Sequence, residues 1–173
     1  PELVAIARAS ADAVLIPALD HLATRSCQSF EASCVAIGLD AVARATGHRM
    51  YADAARQARA WFTAKCKVKS YDELLQLAPG GSDENASMRM VTSYWDLVAS
   101  FMTAGVLNKD LFFQSGRELL LVWERVRDYL PSMREAYKDP NFLQHLETIG
   151  NEFATHFKKQ DKAAYEAFLK RIK

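Results

Sequence analysis

Apolar residues recur at three- and four-residue steps along nearly the whole chain, the spacing that lines one face of an α-helix. Val4, Ala7, Ala11, Val14, Ala18 and Leu22 make a first stripe, and Cys27, Phe30, Cys34, Ile37 and Ala41 a second. Gly47 follows, a residue that tolerates the left-handed conformation in which helices end. Pro17 removes a backbone donor inside the first stripe, so the pattern leaves open whether residues 3–46 form one kinked helix or two. A further helix is predicted from about Tyr51 to Lys67, with Trp61 and Phe62 giving it apolar bulk.

The punctuation between stripes is equally helical. Ser70-Tyr71-Asp72-Glu73 reads as a capping box opening a short helix through Leu77. Pro79-Gly80-Gly81-Ser82 is the strongest turn signal and a soft boundary at most, because a short turn is an ordinary connection between packed helices. A single domain over residues 1–173 is therefore expected. Val91, Trp95, Val98 and Met102 form the next stripe, Gly105 ends it, and Asn108 is placed to cap a short helix holding Leu111, Phe112 and Phe113. Leu119, Trp123, Val126 and Leu130 predict one long helix. Asp139-Pro140 predicts the start of another, lined by Phe142, Leu146, Ile149, Phe153 and Phe157. Tyr165, Phe168, Leu169 and Ile172 line a last helix. Nothing alternates as a strand would. The expectation is an all-α bundle of six to eight helices, anchored by Trp61, Trp95 and Trp123. Burying each large apolar side chain in such a bundle contributes roughly 1.5–3 kcal/mol.

Composition narrows the class without naming an activity. Half of the 173 residues are apolar and a quarter charged, an ordinary globular balance. Against 22 basic residues stand 21 acidic ones, which argues against a nucleic-acid partner, since phosphate binders carry a surplus of Lys and Arg. No run of apolar residues is long enough to cross a bilayer. Three cysteines with no Cys-x-x-Cys speak against a disulfide framework and a zinc ribbon. Cys27 and Cys34, two turns apart, are too distant to pair within one straight helix; Cys66 could pair with either if its helix packs there, and a free buried thiol is the preferred reading. The chain opens on Pro1 rather than Met, which leads to the expectation of a preceding segment, and any signal peptide or anchor there would lie outside the sequence.

Two constellations carry chemistry in principle. His145, Glu152 and His156 share one helix face, and Glu152 with His156 is an i, i+4 pair of metal-ligand types. Di-iron bundles draw Glu-x-x-His from two helices, and no second such pair is present, so the same stripe also reads as a solvated polar face. Arg56, Arg59, Lys65 and Lys67 sit in a basic run opposed there by Asp53, a face suited to anionic surfaces or simply to water. The tail from Phe153 to Lys173 is a second basic run. Gly80-Gly81-Ser82 before a helix could offer amides to an anion, and as a turn it needs no ligand. No nucleophile elbow, phosphate-cradling loop or dinucleotide fingerprint occurs, so no catalytic residue and no cofactor are expected.

From about Met90 to Phe157 the chain resembles a bacterial family known only as a domain of unknown function. The likeness rests on the aromatic pair Tyr94-Trp95 followed by Asp96, the bend Ala104-Gly105-Val106-Leu107, and a helix bearing Trp123 that leads to Arg134. The chain departs from the pattern with Ser93 in place of Asn and Asp96 in place of Glu. The resemblance implies a helical fold and a membrane helix upstream, and it carries no catalytic residues. The resulting expectation is a non-enzymatic helical interaction or regulatory domain that associates with itself, cytoplasmic and beside a membrane anchor. The alternative is a metal- or small-ligand-binding bundle, sensor or enzyme, using the His145, Glu152 and His156 face.

Overall fold

A computed structural model describes residues 50–172. The stripes before Met50, Pro17, Gly47, Cys27 and Cys34 lie outside the described residues. Eight helices follow in order: α1 (Met50–Lys65), α2 (Tyr71–Leu77), α3 (Asp83–Thr103), α4 (Lys109–Phe113), α5 (Arg117–Val126), α6 (Leu130–Tyr137), α7 (Gln144–Gln160) and α8 (Lys162–Ile172). No strand occurs among the described residues. The all-α reading holds.

The local signals explain most helix ends. Ser70 accepts the Glu73 N–H at the start of α2, while the Glu73 carboxylate reaches back to the Lys69 N–H, one residue further than a standard capping box. Ser82 caps α3 through the Asn85 N–H, and Asn108 caps α4 through the Leu111 N–H. Gly105 closes α3 at φ +74°, a conformation that side chains with a Cβ adopt at a cost.

Two predicted elements are corrected. The stripe from Leu119 to Leu130 is not one helix: α5 ends at Val126 and α6 starts at Leu130. Pro131 has no N–H to give the carbonyl of Arg127, so the chain passes through a turn and restarts with proline in its first turn. The helix expected from Asp139-Pro140 starts only at Gln144. Asp139 does cap locally, accepting the Asn141 N–H, but Leu143 at φ +55° breaks the turn before it can propagate.

One core runs through the bundle. Phe62, Leu74, Met88, Leu119, Leu120, Leu130, Met133, Leu146, Ile149 and Phe153 are buried to within a few per cent, so residues on both sides of the Pro79–Ser82 turn share it. Trp95 and Trp123 are buried as expected, whereas Trp61 is only partly buried against the core and its neighbour Phe62 takes the core position. Helices α5 and α7 meet closely at Gly150, where an added Cβ would lie 2.3 Å from Trp123 Cγ. Phe113 stacks on Phe153, with ring centroids 4.4 Å apart, and fixes short α4 against α7.

Candidate functional site

Helix α5 is covered on nearly every side, which brings two adjacent charges, Glu124 and Arg125, into the interior. A buried charge is costly unless paired and hydrogen-bonded. Among the described residues, Arg125 is not paired with a carboxylate. Its Nη1 donates to the carbonyls of Phe62 and Thr63 at 2.6 and 3.0 Å, and its Nε donates to the carbonyl of Ile172 at 3.0 Å. These oxygens belong to the last turns of α1 and α8, where the helix dipoles end negative, and the Phe62 carbonyl also accepts the Cys66 N–H at 3.2 Å. One guanidinium therefore closes two helix ends, and it lies over the Phe62 ring at 5.8 Å.

Glu124 turns to the other side. Its carboxylate accepts the Tyr165 hydroxyl at 2.7 Å and Arg127 Nη1 at 3.1 Å, tying α5 to α8 a second time. Burial, then the bond to Glu124, push the Tyr165 hydroxyl up to about 12. Behind Arg125, burial pushes the Cys66 thiol up to about 11, so it stays a protonated, apolar-packed group at neutral pH. Burial raises the Tyr129 hydroxyl beside it as well, and the neighbouring Cys66 sulfur acts in the same direction. A recess of about 120 Å³ opens at this junction, lined by Lys67, Lys69, Glu124, Arg125, Asp128 and Ile172.

A second polar cluster holds the start of α7. Leu143, at the N-cap, has no side chain able to accept, and Asp96 of α3 supplies the missing acceptor by taking the Leu146 N–H at 2.8 Å. Burial raises the Asp96 carboxyl, while the Leu146 bond and the neighbouring His145 and Arg134 act against that rise. Thr103 Oγ1 lies 2.9 Å from both Ser100 O and His145 Nδ1, a polar contact between the end of α3 and the start of α7. Arg134 completes the cluster, donating to Phe142 O at 3.0 Å and pairing with Glu147 at 2.8 Å.

The residues singled out from sequence are distributed differently. His145 belongs to the α7 cluster just described. Glu152 pairs with Lys109 Nζ at 2.8 Å, and His156 lies against the Phe113 ring at 5.4 Å. Among the described residues no three His, Cys, Asp or Glu side chains converge as a metal-binding group. On α1, Arg56 pairs with Asp53, and Arg59 makes a two-pronged pair with Glu118 of α5, Nε to Oε1 at 2.7 Å. Lys65 and Lys67 are exposed. Sequence reasoning missed Glu124, Arg125 and the role of Asp96. The first two had a signal: charges interrupting an apolar arc too wide for one helix stripe, Leu119, Leu120, Val122, Trp123 and Val126.

The family model for a domain of unknown function, DUF4760, matches residues 34–153, more than half of the chain. The chain belongs to this family. The DUF4760 match extends the resemblance read from the Tyr94-Trp95 pair and the Trp123 helix well toward the N-terminus. It holds both Arg125 and Asp96, and it ends inside α7, so α8, whose Ile172 carbonyl Arg125 binds, lies beyond it. No curated protein and no solved structure matches the chain. No helix of the described residues is long and apolar enough to cross a membrane.

Proposed function

We propose that this chain is a non-enzymatic helical interaction domain of a bacterial protein, working in the cytoplasm and associating with a second copy of itself through the corner between α3 and α4. The observation that carries the reading is a set of apolar side chains held out to solvent there. Phe101, Val106 and Leu111 are 46%, 78% and 64% exposed within eleven residues of sequence. The corner is tied down: the Val106 and Leu107 N–H groups donate to Phe101 O at 2.9 and 3.1 Å, and Asn108 caps the short helix that carries Leu111. Apolar groups fixed in water are unfavourable unless something covers them, and a clustered set marks a contact surface. The buried charges support a non-enzymatic role, because Arg125, Glu124 and Asp96 bond to backbone and to neighbouring side chains that hold helix ends. A free, buried Cys66 suits a reducing compartment.

Sedimentation velocity over a concentration series tests it, with Val106→Asp/Leu111→Asp as the comparison. The wild-type chain is expected to shift toward a dimer as concentration rises, and the double variant to stay monomeric with an unchanged melting temperature. A wild-type chain that remains monomeric throughout would overturn the reading.

A further inference from the structure

Sequence places two basic runs far apart, one before Lys69 and one at the tail, and the fold joins them. Because Arg125 holds the carbonyls of Phe62, Thr63 and Ile172 together, the last turn of α1 and the last turn of α8 meet at one end of the bundle. The recess at that junction places Lys67, Lys69 and Ile172 side by side, an independent sign of the same meeting. Exposed Lys65, Lys67 and Lys69 lie at or just past the end of α1 and exposed Lys170 and Arg171 in the last turn of α8, so the joined ends carry five cations, Arg171 lying over the Phe168 ring. Of the two acids lining the recess, Glu124 is already engaged by Arg127 and Tyr165, and Asp128 is the other.

We propose that this corner docks on the anionic headgroups of a lipid bilayer. Clusters of four to eight Lys and Arg have this property, each charge adding to an attraction that a neutral bilayer does not offer. The corner's charge complements such a surface, and lysines on flexible stems suit it because the headgroups are mobile and ask for no fixed fork geometry. Nucleic acid is the less favoured occupant. Single-strand binders set aromatic platforms beside their cations, and none of the exposed large apolar side chains among the described residues lies in the segment 62–69 or in α8. The charge of the whole chain, +1, also lacks the surplus that tracks a phosphate backbone. The docking surface is separate from the α3–α4 corner and stands whether or not the chain dimerises.

The test is co-sedimentation with vesicles of phosphatidylserine and phosphatidylcholine, against vesicles of phosphatidylcholine alone, at low and high salt. Three chains are compared: wild type, Lys67→Glu/Lys69→Glu/Lys170→Glu, and Lys158→Glu/Lys159→Glu/Lys162→Glu. The last makes the same change of charge around the α7–α8 link, at the opposite end of α8. Wild type is expected to bind only the anionic vesicles and to release them as salt rises. The corner variant, which reverses three charges, is expected to lose more than about a hundredfold in affinity, and the link variant only a few-fold. If the corner variant melts at a lower temperature than wild type, the single changes Lys67→Gln, Lys69→Gln and Lys170→Gln replace it, each expected to weaken binding about fivefold. Absence of binding, equal binding to neutral vesicles, equal losses in both triple variants, or tighter binding of an RNA oligonucleotide through the same lysines would overturn the proposal.

Discussion

Asp96 on α3 accepts the backbone N–H of Leu146 on α7 at 2.8 Å, fifty residues away in sequence. A helix start whose own chain offers no acceptor is thus capped from the neighbouring helix, and the cap doubles as a packing contact. Asp96→Ala is expected to lower stability by about 1 kcal/mol, the usual cost of a lost N-cap, while Asp96→Asn keeps an acceptor oxygen and costs less. Chemical denaturation of the two variants checks the order.

The same carboxyl gives a pH signature. Burial raises Asp96 above the ordinary 3.8, so the folded chain holds its proton longer than the unfolded chain does. A raised carboxyl favours the fold at low pH, and that contribution is lost as pH rises through the folded value. Asp96→Asn removes the loss. Its melting temperature relative to wild type is therefore expected to be higher at pH 7 than at pH 4, and melting curves at the two pH values decide it.

Arg125→Met should be among the most damaging single changes, at about 3–5 kcal/mol, because it takes their side-chain donor from the Thr63 and Ile172 carbonyls and leaves Phe62 O only the Cys66 N–H. The defect is expected first in α8. Hydrogen exchange across residues 162–172 should accelerate more than exchange in α3, and uniform acceleration would argue that the guanidinium acts on the core as a whole.

Tyr165 should ionise late. With its hydroxyl bonded to Glu124 and pushed up to about 12, its contribution to stability is intact below pH 10 and lost as pH rises through 12. Ultraviolet titration of phenolate absorbance is expected to move one tyrosine to lower pH in Glu124→Gln, since a neutral amide no longer resists the phenolate charge.

Gly150→Ala is expected to destabilise by about 1–3 kcal/mol even though alanine is the better helix former, because its methyl would collide with the Trp123 ring. Trp123 must then shift, and tryptophan fluorescence should report the displacement in the folded state. A variant as stable as wild type would mean that α5 and α7 can move apart freely.

How much of this was legible depended on the range of the interactions. Ser70 and Asn108 cap helices within three residues of themselves, so a reading along the chain finds them, whereas Ser82 was read only as part of a turn. Pro131 was legible in principle, but the stripe Leu119, Trp123, Val126 and Leu130 keeps helical spacing across the break, and spacing alone hid the turn. Asp139 caps a turn that stops, because the left-handed Leu143 lies beyond what a start signal conveys. Asp96 and Arg125 act on backbone 47 to 63 residues away, and no local pattern encodes that. The His145, Glu152 and His156 stripe shares a helix face as read, yet each side chain meets a different neighbour from α3 or α4, which only packing decides.

The tie at Arg125 is made to amide carbonyls, and these do not gain or lose protons at any pH a cell encounters. A clamp built on a carboxylate would weaken on acidification as its partner neutralised. This one keeps its strength through the range in which Asp and Glu switch off, so acid reaches the joined ends of α1 and α8 only through the Glu118 and Glu124 pairs that also hold those helices.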